Sequence, residues 1–323
     1  MAPSLTRRTF FSLLGASAVA LSAAPARAGL ERKTTDALGT TLTLTLASAP
    51  FPCAGAGYTD PSVWVFVPAH FRASPGREIP LLVHFHGHST TAERAMINHK
   101  LREQLVASLQ DAILVVPQGP VMASDSSFGK LEAPGAFSRM IREVLSVLGS
   151  SELVRGLGTT AFRGSRPGRT CISAHSGGYH AAAQCLRHGG LEINEVYLFD
   201  ALYADVDVFR DWVLAGRGKP LRSRHKLVSY TAGGTTERMN DWLFGELEKG
   251  GASCARELVE GTLSRETLSR SEAVFIKTST AHNGVAFETS ALRDCLYASA
   301  LPRHVRTSWF LAKGGSRPIE RMR

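Results

Sequence analysis

Polar and apolar residues alternate strictly over residues 41–46 (TLTLTL), which predicts a half-buried, edge-type antiparallel strand. Residues 63–67 (VWVFV), closed by Pro68, predict a second strand. The pattern then changes. Residues 81–85 (LLVHF) and 112–116 (AILVV) are unbroken apolar runs with Pro or Gly near their ends, as suits strands buried on both faces. Between them, residues 92–109 show helical spacing. Over Ala136–Leu148 the apolar Phe137, Met140, Ile141, Val144, Leu145 and Leu148 share one side of a helix. Residues 149–168, rich in Gly and Arg, predict a loop or hairpin. Further strands are predicted at 169–174, 196–199, 227–231 and 274–276, and helices at 177–186, 206–214, 242–249 and 287–296. Strands alternating with helices after a two-strand antiparallel start predict an α/β fold, a mostly parallel twisted sheet with helices on both faces. No internal repeat or linker interrupts residues 29–301, so one domain is expected there.

The first 28 residues follow another logic. Arg7-Arg8 precede Phe10-Phe11, residues 13–24 are apolar apart from serines, and Ala26-Arg27-Ala28 forms a small-x-small cleavage site. This predicts a signal peptide over residues 1–28 that resembles a twin-arginine translocation signal. Export machinery is then an expected partner, and the mature protein is expected in the periplasm or outside the cell. The apolar run is shorter than the roughly 20 residues a membrane span needs. The net charge of +9 sits mostly in this leader and in a basic tail over residues 302–323. The body is close to neutral, so a nucleic-acid partner is not expected. Five cysteines, none spaced CxxC, give no zinc ribbon. If a disulfide forms, Cys254 with Cys295 is the expected pair, and Cys171 is expected to be a buried small hydrophobe.

Candidate chemistry lies where strands end. In residues 171–182 (CISAHSGGYHAA) an apolar strand runs into Ala174-His175-Ser176-Gly177-Gly178 and then a helix of small residues. Small neighbours are needed because a strand-to-helix turn this tight puts Ser176 in a strained conformation. In residues 81–88 (LLVHFHGH) a buried strand runs into His86-Gly87-His88. Residues 278–285 (TSTAHNGV) follow the last strand and carry His282. Asp200 ends the strand VYLFD at the same sheet edge as Ser176, with Asp205 and Glu237 as alternative acids.

On these motifs, residues 60–300 resemble the α/β-hydrolase superfamily, and the opening VWVFVP…PLLVHFHGH is similar to secreted esterases and polyester depolymerases. The family pattern is G-x-S-x-G; here Ala174 stands at its first position. The resemblance implies Ser176 as nucleophile, His282 as acid and base, Asp200 as its orienting acid, and an oxyanion hole from Gly177 with Gly87 and His88. His86, His175, Tyr179 and Phe128 are candidate substrate contacts, with Lys130 and Glu132 in the loop that carries Phe128. The expected substrate is a small-molecule or polymer ester, and no cofactor is implied. Three alternatives stay open: an amidase or peptidase with the same triad, a zinc hydrolase using His84, His86 and His88 as strand-borne ligands, and a non-catalytic envelope-binding protein.

Overall fold

The structure is a computed structural model that describes residues 28–72, 77–123, 126–220 and 223–304. The signal peptide expected over residues 1–28, except Ala28, and all but the first residues of the basic tail lie outside the described residues.

Strands β1 (Gly29–Asp36), β2 (Gly39–Thr45) and β3 (Ser62–Pro68) form an antiparallel ribbon. β3 continues antiparallel onto β5 (Ile113–Pro117), which lies parallel to β4 (Glu78–Phe85). From β4 the sheet extends in parallel through β6 (Arg166–His175), β7 (Glu195–Phe199), β8 (Lys226–Thr231), β10 (Ala273–Lys277) and the edge strand β9 (Cys254–Glu257). The order across the sheet is β1-β2-β3-β5-β4-β6-β7-β8-β10-β9. This is the α/β-hydrolase arrangement: a mostly parallel sheet whose central strands all point their carboxyl ends to one edge.

The strand period of two sends alternate side chains to opposite faces, and each face meets its own helices. On one face Leu81, Val83, Phe85 and Ile172 pack with α3 (Ala136–Leu148), α5 (Tyr179–His188), α6 (Val206–Ala215) and α7 (Gly234–Lys249). On the other, Phe66, Leu82, Leu114 and Val274 pack with α1 (Ala92–Asn98), α2 (Leu101–Ser108), α8 (Arg265–Arg270) and α9 (Ala291–Tyr297). The remaining helix, α4 (Ser151–Leu157), lies in the segment where a loop or hairpin is expected. It is capped by Ser150, whose side chain accepts from the Leu153 N–H, and ends at Gly158 with φ 64°.

Other departures from the sequence expectation have local causes. The helix expected over residues 92–109 is two helices, because the buried His99 ends the first and Lys100 takes φ 47°. The helix expected from residue 242 begins eight residues earlier, at Gly234. β1 escapes the pattern because most of it is exposed and has no core face to alternate against. The Cys254–Cys295 pair does not form: all five cysteines are free thiols. The sheet separates the two, since Cys254 packs with the cluster on one face and Cys295 with that on the other. Cys171 is fully buried.

Candidate active site

β6 ends at His175, and Ser176–Gly178 form a 3-10 turn that leads directly into α5. Ser176 sits in the left-handed region at φ 52°, a conformation that costs about 1–3 kcal/mol for a residue with a Cβ. The turn survives because its neighbours lack side chains. A Cβ on Gly178 would lie 2.4 Å from the Phe85 carbonyl oxygen, and one on Gly87 would lie 2.7 Å from Ser176 Cβ. Ser176 thus stands proud of the sheet edge, at the positive end of the α5 dipole.

Ser176 Oγ lies 3.0 Å from His282 Nε2, and His282 Nδ1 donates to Asp200 Oδ2 at 2.6 Å. The residues come from three separate strand ends: β6, the loop after β10, and β7. Asp200 is 4% exposed and also accepts hydrogen bonds from the Ala232 N–H, at 3.1 Å, and from the Thr236 hydroxyl. Burial pushes its carboxyl pKa up, but the hydrogen bonds from His282, Thr236 and Ala232 outweigh burial and hold it below the ordinary value. The alternative acids face elsewhere. Asp205 accepts from His180 Nδ1 at 2.7 Å and pairs with Arg187 at 3.5 Å. Glu237 pairs with Lys277 at 2.5 Å.

The loop after β4 lies against the serine turn. A Cβ built on Gly177 would sit 3.7 Å from the His88 backbone nitrogen and 2.9 Å from Ser126 Oγ. His88 itself is exposed, so its backbone rather than its imidazole is the group brought close to the turn. Ser126, which the sequence pattern does not mark, therefore covers Gly177, and its hydroxyl also hydrogen-bonds the Tyr179 side chain.

Three of the four expected substrate contacts, Phe128, His86 and His175, are buried. Phe128 is 2% exposed, with its ring 5.2 Å from Phe85 and 5.9 Å from His86. In the same loop, Lys130 bonds the Ala47 carbonyl, tying the loop to the segment after β2, and Glu132 accepts from the Phe128 N–H within the loop. His86 receives the Gly119 N–H on Nε2 at 2.9 Å, so its proton is on Nδ1, donated to the Gly87 carbonyl at 2.9 Å. Carbonyl and N–H of a trans peptide point in opposite directions. By holding the Gly87 carbonyl, His86 sets the direction of the His88 N–H. His175 donates Nε2–H to the His282 carbonyl at 2.9 Å, tying the serine strand to the histidine loop. Tyr179 alone of the four remains at the surface, half-buried.

Behind His175 lies a chain of buried imidazoles. Its ring is 4.7 Å from that of His99, whose Nδ1 is 3.4 Å from His84 Nε2, and His84 Nδ1 bonds Ser173 Oγ at 2.8 Å. Burial holds all of them neutral: His86 and His175 are pushed down to about 4, His99 to about 3, and His84 well below the ordinary value. His84 and His86 thus spend ring nitrogens on Ser173, His99, Gly87 and Gly119, while His88 turns to the Ala123 carbonyl at 3.3 Å. The three do not converge on one point. Among the described residues no group of three His, Cys, Asp or Glu side chains is placed to hold a metal ion.

No family model matches the chain, and no curated protein matches it. Its fold is similar to several solved structures. An S-formylglutathione hydrolase from Agrobacterium tumefaciens is 14% identical with a TM-score of 0.45, covering 82% of this chain and 96% of its own. A feruloyl esterase module from Clostridium thermocellum is 12% identical with a TM-score of 0.46, over 87% and 91%. An acetyl xylan esterase from Aspergillus awamori is 11% identical with a TM-score of 0.46, over 74% and 94%. Among the described residues no helix is long and apolar enough to cross a membrane.

Proposed function

We propose that this chain is an exported serine hydrolase that cleaves carboxylic esters through an acyl-enzyme. The observation that carries the reading is the unbroken hydrogen-bonded chain from Ser176 Oγ through His282 to the buried Asp200, with the serine held at positive φ.

In this reading Ser176 Oγ bonds to the acyl carbon while its proton passes to His282 Nε2. Asp200 keeps the other imidazole proton on Nδ1 and stabilises the imidazolium. The backbone N–H groups of Gly177 and His88, with Gly87 leaving room for the serine, receive the negative charge on the carbonyl oxygen. The carbon–oxygen bond to the alcohol then breaks, and His282 returns the proton to the departing oxygen. Water attacks the acyl-serine, gives its proton to His282, and releases the carboxylic acid as Ser176 recovers its own. An ester is favoured over an amide because an alkoxide needs less help to leave. The chain divides into the export signal over residues 1–28, one hydrolase domain over 29–301 and the basic tail over 302–323.

Labelling the mature protein with a fluorophosphonate, read by intact mass, tests the reading. One adduct is expected, absent in Ser176→Ala, together with loss of all ester turnover. Turnover that persists in Ser176→Ala overturns the serine mechanism.

A further inference from the structure

Asp200 and Asp205 both adopt the left-handed backbone region, with φ 46° and 54°, and they bracket the short arch between β7 and α6. Both ends of the arch are pinned. Asp200 is held by His282, Thr236 and Ala232, and Asp205 by His180 and Arg187. Within the arch Ala201 and Leu202 turn inward and are fully buried, whereas Tyr203 turns outward and is 37% exposed. Its ring centroid lies 6.5 Å from that of His282, nearly edge-on at 73°, and 6.1 Å from that of Tyr179. The Tyr179 side chain is tied in turn to Ser126, which lies over Gly177. Two tyrosine rings therefore form a wall that starts at Tyr203 beside His282 and runs through Tyr179 towards Ser126 over Gly177.

The position of this wall has a chemical meaning, and here the argument rests on the serine-esterase reading above. His282 must deliver its proton to the leaving oxygen, so the alcohol half of the ester departs on the His282 side, where Tyr203 stands. We propose that Tyr203 and Tyr179 form a leaving-group subsite for the flat, uncharged ring of an aryl-bearing alcohol. Aromatic rings prefer offset or edge-to-face neighbours at centroid separations of about 4.5–7 Å. The exposed part of the Tyr203 ring is the surface that a third ring would meet in either arrangement. A cationic alcohol finds no direct carboxylate partner here, because Asp200 is buried and held by three donors and Asp205 by His180 and Arg187. Since the arch is pinned before substrate arrives, little ordering cost is added on binding.

The test compares benzyl, ethyl and choline esters of one acid, with Ser176→Ala alongside. The benzyl and ethyl esters differ little in leaving-group basicity, so the ratio of their kcat/KM values isolates recognition of the ring. The wild type is expected to favour benzyl. Tyr203→Ala and Tyr203→Leu are expected to lower the benzyl-to-ethyl ratio roughly three- to tenfold, while Tyr203→Phe preserves it. An unchanged ratio in Tyr203→Ala and Tyr203→Leu, with Ser176→Ala inactive, overturns the subsite alone, as does a choline ester preferred over benzyl. Turnover that survives in Ser176→Ala overturns the serine-esterase reading and the subsite with it.

Discussion

Asp200 illustrates how much of a residue's role depends on partners distant in the chain. Asp200, Asp205 and Glu237 are the acids that the sequence offers to His282, and no local pattern separates them. Thr236 and the Ala232 N–H converge on one of them. His175 carries the same lesson in the opposite direction. Standing next to the serine, it looks like a substrate contact, yet its ring is buried and its Nε2–H holds the His282 carbonyl. On the proposed serine-hydrolase reading, His175→Ala should therefore release the histidine loop and lower kcat by about ten- to a hundredfold with KM little changed, since small displacements of a catalytic group are costly. His175→Gln, whose side-chain amide can offer a donor near the same place, should recover most of the loss. Steady-state kinetics on both variants checks this, and equal kcat values in wild type and His175→Ala would dismiss the role.

At the scale of elements, the serine turn and the β4 loop fit because three glycines meet there. Gly178 is the tightest, with the Phe85 backbone against the place a Cβ would occupy. Backbone of a central strand cannot give way as a flexible side-chain end can. Gly178→Ala is expected to destabilise the protein by about 1–3 kcal/mol, as overpacking does, and to slow fluorophosphonate labelling. Gly245, inside α7 with nothing within 4 Å of its built Cβ, is the control. Gly245→Ala should leave labelling intact and raise stability by up to about 1 kcal/mol through helix propensity. Urea unfolding of the two variants measures both, and a Gly178→Ala protein as stable as wild type would show that the turn can relax. The α1–α2 break belongs to this scale too. The apolar spacing runs on through residue 99, but the buried His99, hydrogen-bonded to His84, ends the first helix where periodicity alone continues it.

For the whole molecule, the buried imidazoles couple folding to pH. His84, His86, His99 and His175 have folded values below the ordinary 6.5, so between about pH 6.5 and 4 the unfolded chain takes up protons that the folded one refuses. Their contribution to stability is complete above about pH 6.5 and is lost as the pH falls towards their folded values. Each group that remains neutral in the folded state adds up to about 1.4 kcal/mol per pH unit to that loss. Asp200 works in a lower window: its depressed carboxyl contributes above the ordinary carboxylate value of 3.8 and loses its effect below it. The urea midpoint is therefore expected to drop clearly between pH 7.5 and pH 5, and a flat profile over that range would contradict neutral burial of these histidines.

The features legible along the chain are those that follow local rules. Alternation and unbroken apolar runs located most strands, glycines at strand ends marked the serine turn and the β4 loop, and the chain order of Ser176, Asp200 and His282 suggested a triad. Such signals are readable because backbone sterics and burial period act over a few neighbouring residues. The remainder came only with the packed chain: which carboxylate meets His282, that His86, His175 and Phe128 are buried, that Cys254 and Cys295 are divided by the sheet, and that Tyr203 stands beside His282. Each of these turns on burial and on partners tens of residues away. Those are properties of how strands and helices are stacked, and no local pattern encodes them.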